Sequence, residues 1–382
     1  ITGLSFVYSV LILGLITIVY DVLGGIKAII YSDIIQMIIL TVVLIFILFY
    51  LTSIFGGFRS MFNYFPDQRN VNLNFFEHGL GDGKEFAFWP MLIGGFFLYM
   101  SYYGCDQSQM QKALCAKNQN EGQKVFFLNG IFRFPLVLLY CLIGVGIGSY
   151  SQINADFISS LPKQDGIPNF NLAVPIFLID NLPIGIVGLT LVALFSAAMS
   201  SLDSVLNSLS AVTMEDFVKR IKTFRYLSEK NNLFISRVIT LFWGSLAIIL
   251  AFYVEDISSN VLIAINKIGS LINGPIIGVF TLGILTKKIN GNSACIGIIC
   301  GFLFNLYCWV YLVNVSWLWW NAIGFVVTLK IAIVHDFFFS NFQANETFVW
   351  SLKSFKKLHF NNTWKTRYII LFIWFILIFC LI

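Results

Sequence analysis

Charge is what this sequence has least of. Only 11% of its 382 residues are Asp, Glu, Lys or Arg, against about a quarter in a soluble domain. That shortage excludes an ordinary soluble globule. Histidine is scarce as well: His78, His335 and His359 are scattered through predicted loops or helix ends, which argues against a His-based catalytic or metal site. The seven cysteines (Cys105, Cys115, Cys141, Cys295, Cys300, Cys308 and Cys380) include no CxxC pair. They predict small buried hydrophobes, not a disulfide or zinc framework. No nucleotide-binding loop occurs, so nothing suggests ATP as an energy source. No His or nucleophile constellation for an enzyme is present. No signal peptide, soluble domain or low-complexity segment is visible. The chain opens at Ile1, without a Met, and closes at Ile382, both inside apolar stretches. The expectation from this is a fragment or truncated product that lacks something before residue 1.

What is there is apolar sequence: 58% of the residues are hydrophobic. Ten runs stand out, at 3–23, 28–54, 86–105, 126–150, 184–214, 234–254, 258–286, 292–312, 316–334 and 367–382. Most are long enough to cross a hydrocarbon core ~30 Å thick. A membrane β-barrel would show short alternating segments instead. The expected class is therefore an all-α polytopic membrane protein. Counting alternate connections gives 19 basic residues on one side and four (Arg59, Arg69, Lys84, Lys163) on the other, with Lys267 left inside a run. By the positive-inside rule the 19-residue side is cytoplasmic, and residue 1 starts near the outer face. The net charge of +5 follows this membrane asymmetry and is not a nucleic-acid signal. The outer connections 55–85 and 151–183 hold Gly, Pro, Asn and Asp, as irregular loops do. The basic stretch 337–366 reads as a loop along the membrane surface.

Polarity enters the apolar runs in four places. At 24–36, two glycines break one helix, and Asp33 and Gln36 enter the next on one face. Asp33 has two readings, a headgroup-level residue at an interfacial turn or an acidic residue of an ion site or gate. At 94–111, Gly94-Gly95 precede Tyr99, Tyr102, Tyr103 and Gly104, which suits close packing or an unwound ligand-binding stretch. Tyr102 and Tyr103 with Gly104 lean towards a site over an interfacial aromatic belt. At 182–217, a helical wheel gathers Ser196, Ser200, Asp203, Ser204 and Asn207 within roughly a third of the circle. Ser201, Ser208 and Ser210 flank them. Packing glue explains a few serines. It does not explain Asp203, whose charge costs ~3 kcal/mol or more at mid-membrane, so a bound ion or Lys267 is the expected offset. At 266–275, Asn266, Lys267 and Gly274-Pro275 fall in one run. The proline predicts a kink or interruption. Lys267 can snorkel, pair with an acid or meet an anionic substrate. Interrupted spans with polar groups at mid-membrane are the signature of a secondary transporter.

Four motifs, in order, resemble the sodium:solute symporter family. They are Gly24-Gly25-Ile26-Lys27-Ala28-Ile29-Ile30-Tyr31-Ser32-Asp33 with Gln36; Cys105-Asp106-Gln107 with Gln111 and Ala116-Lys117-Asn118; Ala197-Ala198-Met199-Ser200-Ser201 through Asn207 to Glu215-Asp216-Phe217; and Gly274-Pro275-Ile276 with Gly278-Val279-Phe280. The resemblance covers nearly the whole chain. It implies a leucine-transporter-like fold of two inverted repeats, with about ten transmembrane helices present and the first core helices missing. Residues 1–54 would end the first repeat, 86–286 would form the second, and 292–382 would be peripheral helices, all within one transporter domain.

By position, Ala197, Ser200 and Ser201 match the family's sodium ligands, one carbonyl and two hydroxyls. Asp33 matches an acidic residue near the ion path. Tyr102 and Tyr103 match an aromatic pair beside the sugar site of glucose carriers, where the second is Trp; Asn266 stands where those carriers have Gln. The stretch 209–216 is more like the iodide, monocarboxylate and vitamin branch. Lys267 completes the candidate substrate residues, while Asp203, Ser204 and Asn207 remain intramembrane polar residues without an assigned role. The resemblance implies sodium-coupled symport of a small organic solute (a sugar, carboxylate, sialic acid or vitamin) across the plasma membrane. It implies no organic cofactor, no nucleic-acid partner and no obligate protein partner. Proton coupling through Asp33 or Asp203, and a transporter-like sensor or receptor, are the rival readings.

Overall fold

The computed structural model describes residues 5–66, 74–164, 166–224, 228–254, 261–286, 289–339 and 362–381. The elements that position the polar residues are α1 (Phe6–Ile54), α2 (Phe58–Asn63), α3 (Gly95–Gly104), α4 (Gln107–Leu114), α5 (Gln119–Ile153), α6 (Asp156–Ser160), α7 (Ala173–Asn181), α8 (Ile184–Val212), α9 (Glu229–Val254), α10 (Val261–Leu285), α11 (Gly291–Tyr311), α12 (Trp319–Phe339) and α13 (Asn362–Leu381). Among the described residues, seven helices are long and apolar enough to cross a membrane by length and composition. The first of them, α1, has 49 residues, roughly 70 Å at 1.5 Å per residue, and holds the first two apolar runs.

The expected break at Gly24-Gly25 is real. Within α1, Gly25 has φ 58° and ψ −164°, a region open essentially to glycine alone. It divides α1 into two spans at a point where no side chain could follow. The third run is uneven in a different way: a π-turn at Pro90–Gly94 leads into α3. The fourth expectation needs correction, because α10 runs unbroken through Pro275. Proline lacks the N–H that would serve the carbonyl four residues back, at Leu271. The Asn305 side-chain amide from α11 donates to that Leu271 carbonyl at 3.0 Å. Asn305 and Asn321 are both fully buried, and Asn321 donates to Ser270 Oγ at 3.1 Å. The span is therefore not interrupted, and a neighbouring helix supplies the donor that Pro275 lacks.

The chain forms two compact units, Ile1–Val71 with Leu128–Ser259, and Asn72–Phe127 with Asn260–Ile382. In the first, α1 packs along α8 and α9. Its apolar core joins Ile47, Leu51, Met61, Ile147, Phe157 and Phe177 from α1, α2, α5, α6 and α7. The Tyr50 hydroxyl donates to the Asn181 carbonyl, and the Tyr150 hydroxyl donates to its side chain at 2.8 Å. In the second unit, α10, α11 and α12 pack on one another, with α3 against α10 and a core of Leu271, Cys308, Trp317, Leu318 and Trp320. At the start of α5, Asn120 accepts from the Trp364 indole of α13 at 2.9 Å.

The connections carry more structure than irregular loops. Residues 151–183 hold α6, a two-residue hairpin (Lys163–Gln164 with Ile167–Pro168) and α7. The segment after residue 74 is tied to the α11–α12 connection. There Ser316 N donates to the Gly79 carbonyl at 2.8 Å and the Trp319 indole to the His78 carbonyl at 2.8 Å. Asp82 organises the turn by accepting from the amides of His78, Gly79 and Lys84 at 2.9, 3.0 and 3.1 Å. Desolvation alone would raise its carboxyl, but those amides and the His78 ring outweigh it and hold it at about 2. A depressed carboxyl contributes stability above its unfolded value and loses it as pH falls through the folded one. The amides of Gly79 and Lys84 should therefore stay protected from hydrogen exchange at neutral pH and lose protection between about pH 4 and pH 2. In Asp82→Asn, which keeps one acceptor oxygen and no charge, the protection should be weaker and should not change between about pH 7 and pH 2.

The cysteine expectation also needs correction. Among the described cysteines Cys308 alone is buried; Cys105 and Cys300 are half-buried, Cys115, Cys141 and Cys295 are exposed, and all six are free thiols. Cys115 caps the end of the polar helix α4, while Cys141 and Cys295 lie on outward-facing sides of α5 and α11. Such faces suit lipid, which does not drive a small apolar side chain inwards as water does. Several earlier readings fall outside the described residues: the basic residues Arg69, Arg225, Lys287, Lys288, Lys353, Lys356 and Lys357, His359, and most of the 337–366 stretch.

Candidate functional site

The polar face of α8 turns inwards, as the wheel predicts. Ser196, Asp203, Ser204, Ser208 and Ser210 are buried, while Val205 on the other side is exposed. Alanine, leucine and serine with no glycine after Gly188 favour an unbroken helix here. The serines spend their hydroxyls on the turn below. Ser201 Oγ donates to the Ala197 carbonyl at 3.2 Å, Ser204 Oγ to the Ser200 carbonyl at 2.8 Å, and Ser208 Oγ to the Ser204 carbonyl at 2.8 Å. Ser200 breaks the series. Its hydroxyl leaves α8 and donates to Asp33 Oδ1 on the second span of α1.

Asp33, Ser200, Ser201 and Ala197 are thus in one place within the first unit. A cavity of about 320 Å³ is lined there by Gln36, Arg133, Tyr140, Ala197, Ser200 and Ser201, with apolar residues from α1 and α5. The oxygens that meet, a carboxylate, two hydroxyls and one carbonyl, are hard donors of the kind that hold an alkali cation. The Asp33 carboxylate meets α8 through the Ser200 hydroxyl.

Asp203 sits further along α8, fully buried. Its Oδ2 accepts from the Tyr20 hydroxyl at 2.6 Å, and its Oδ1 accepts from the Ser204 amide at 2.8 Å. Neither the tyrosine nor its neighbour Asp21 was singled out by the sequence reading. The available signal was Tyr20-Asp21, a carboxylate inside the first apolar run, four residues before the helix break. Asn207 is half-buried.

The candidate substrate residues lie in the second unit. Tyr102 and Tyr103 meet edge to face, ring centres 5.0 Å apart, and Tyr99 stacks on Tyr103 at 6.2 Å. Gln109 donates to the Tyr102 hydroxyl at 2.8 Å. Helix α3 ends at Gly104, and Asp106 caps α4 by accepting from Ser108 N at 2.8 Å. The Cys105-Asp106-Gln107 motif is therefore a helix stop followed by a new start. Asn266 is half-buried. Lys267, which sequence left with three options, takes the second: its Nζ pairs with Glu85 Oε1 at 2.7 Å. The buried Ser270–Asn305–Asn321 set was not anticipated, because its members are distant in sequence and each reads singly as packing.

These features define a class. The chain is a multi-pass integral membrane protein with a broken helix and polar side chains buried between apolar helices. It belongs to the sodium:solute symporter family, whose sequence profile matches residues 1–301. Among its relatives, it is 28% identical over 309 residues to the sodium-coupled monocarboxylate transporter 1 of Homo sapiens, covering 80% of this chain and 49% of that protein. It is 27% identical over 310 residues to a putative sodium-dependent multivitamin transporter of Drosophila melanogaster, covering 80% and 50%. The chain thus spans about half the length of the curated relatives it matches. A solved structure of a Na+-coupled sialic acid symporter in a substrate-bound outward-open state superposes with a TM-score of 0.77 at 22% identity, over 90% of this chain and 69% of that one. That likeness establishes the leucine-transporter-like fold.

Proposed function

We propose that this protein is a sodium-coupled symporter of a small organic solute, working by alternating access, and not an enzyme. The observation that carries the reading is the meeting of Asp33 with Ser200 beside Ser201 and Ala197. Two distant stretches of chain bring a hard-oxygen set together inside an apolar bundle. Sodium would take the Ser200 and Ser201 hydroxyl oxygens and the Ala197 carbonyl, with Asp33 supplying negative charge. The Ser201–Ala197 bond would open, leaving both oxygens to the ion. Asp33 would keep the Ser200 proton, which orients that hydroxyl's lone pairs away from the carboxylate. Inward movement of one charge down a 100 mV potential supplies about 2.3 kcal/mol, and each tenfold concentration ratio adds about 1.4 kcal/mol.

The relatives are named for monocarboxylates, multivitamins and sialic acid, and we place this protein's solute in the same range of small organic solutes. Tyr102, Tyr103, Asn266 and Lys267 are the residues assigned to it. Residues 1–54 are assigned to the end of one repeat, 86–286 to the second and 292–382 to peripheral helices, with the basic connections cytoplasmic and residue 1 near the outer face. Lys267 is already paired with Glu85, so an anionic solute would compete with that carboxylate for the ammonium, and Glu85, 41% exposed, would turn to solvent as the solute binds.

Thermal stabilisation by sugars, carboxylates, sialic acid and vitamins, each with and without sodium, tests the reading. A ligand that stabilises only when sodium is present supports it; stabilisation indifferent to sodium contradicts it. Lys267→Ala should then raise the KM for an anionic solute about tenfold or more and leave a neutral one within twofold. Equal effects on both would remove the anion assignment.

A further inference from the structure

The second turn of α13 puts an arginine, Arg367, on the side of that helix that turns inwards. Trp364 is buried and Arg367, Leu371 and Trp374 are half-buried along one stripe, while Ile369, Phe372 and Phe375 are exposed. The Arg367 Nη1 is closed off from solvent with no hydrogen-bond partner among the described residues. Glu121, at the start of α5, is taken by Lys124 at 2.5 Å. Arg367 is held in place all the same. Its guanidinium carbon lies 4.4 Å from the ring centre of Trp364 and 5.8 Å from that of Phe127 on α5. Trp364 is fixed in turn by its indole N–H, which donates to Asn120 on α5 at 2.9 Å, and its ring lies 6.0 Å from that of Tyr368.

Ring faces attract the charge but leave the donors in the guanidinium plane unused. A charged donor closed off from water costs stability until an acceptor reaches it. Of the three nitrogens only Nη1 is enclosed in this way, so an acceptor can approach by the others. The guanidinium fork matches two oxygens of a phosphate. Trp364 and Tyr368 mark this turn as the level of the membrane–water interface, where such residues gather and where lipid phosphates lie. Basic pockets between transmembrane helices at that level take phospholipid headgroups. A zwitterionic lipid brings its own cation and offers an arginine no net charge; an anionic lipid does.

We propose that Arg367, set by Trp364 and Phe127, binds the phosphate of an anionic phospholipid in the seam between the start of α13 and the start of α5. The acyl chains would run along α13 beside Ile370, Ile373 and Leu377, which are exposed next to the inward stripe. The lipid would join α13 to α5 whatever ion or solute the protein carries. The orientation assigned above places it in the cytoplasmic leaflet.

The test is thermal melting of the purified protein in phosphatidylcholine nanodiscs, with and without phosphatidylglycerol, alongside native mass spectrometry of the lipids that stay bound. The wild type should gain stability from phosphatidylglycerol and retain one such lipid tightly. Arg367→Gln should lose that lipid and most of the gain. Lys365→Gln, which removes the same charge from an exposed neighbour, should keep both. Arg367→Lys should hold the lipid more weakly than the wild type, because an ammonium keeps the charge without the fork. Should Arg367→Gln fail to fold, Trp364→Phe is read for the same loss, since it drops the bond to Asn120 that sets the ring under the arginine. An Arg367→Gln protein that keeps the lipid and the full gain would overturn the proposal. So would equal losses in Lys365→Gln, which show a general effect of surface charge. So would an equal gain from inorganic phosphate in phosphatidylcholine alone, which shows a site for a free anion.

Discussion

Replacing Ser200 and Ser201 together by alanine should raise the sodium concentration needed for half-maximal transport by about 100-fold or more. Each serine offers the ion one hydroxyl oxygen, and a hydrogen bond or ligand contact involving a charge is worth about 1.5–3 kcal/mol. Two losses on one ion amount to about 3–6 kcal/mol, so a 100-fold change is the lower bound. The two serines also differ in a way that single variants expose. Ser200 donates to Asp33, so Ser200→Ala removes a hydrogen bond between α8 and the second span of α1 as well as a ligand. Among the described residues Ser201 bonds to the Ala197 carbonyl of its own helix, so Ser201→Ala removes a ligand and little else. Ser200→Ala should therefore lower the melting temperature more than Ser201→Ala, while both weaken sodium. Sodium activation of the double variant that matched the wild type would refute the site.

The second large effect is structural. At Gly274, one residue before Pro275, an added Cβ would stand 2.2 Å from the Asn321 carbonyl oxygen and 2.9 Å from the Phe325 amide nitrogen. Both are backbone atoms of α12, so no rotamer change relieves the clash. Helices α10 and α12 would have to separate, and with them the Ser270–Asn321 hydrogen bond between them. Overpacking of this kind costs about 1–3 kcal/mol when side chains can yield, and more when only backbone is in the way. Gly274→Ala should cut the yield of monodisperse protein severely and lower the melting temperature of what remains. Gly283, on the same helix, has nothing within 4 Å of its would-be Cβ. Gly283→Ala should be neutral or slightly stabilising, since alanine is the better helix former by about 1 kcal/mol. Equal behaviour of the two variants would contradict the packing described.

The helices themselves were legible in the sequence, and for a simple reason. In a bilayer the backbone must satisfy itself, so each long apolar run is a helix whatever surrounds it. The break at Gly25 and the inward polar face of α8 were legible on the same terms: two adjacent glycines, and serines repeating at helical spacing. Pro275 shows the limit of local reading. Proline predicts an interruption, but Asn305, thirty residues on, supplies the absent donor to Leu271, and no local pattern announces that partner. Lys267 shows the same limit in charge: its partner Glu85 is 182 residues away. Asp203 was recognised as a charge needing an offset, yet a phenol hydroxyl supplies part of it, from a tyrosine that looks like any interfacial aromatic. The pairing of Asp33 with Ser200 came from the family resemblance, which placed both near the ion. What the structure adds is that the two side chains touch.

Sodium-gradient-driven accumulation of the stabilising solute in proteoliposomes tests the central claim most directly. An inward sodium gradient imposed at constant pH should drive uptake above equilibrium in wild-type vesicles, and little or none in Ser200→Ala with Ser201→Ala. Uptake that is unaffected by removing sodium, but that follows an imposed pH gradient, would contradict the account.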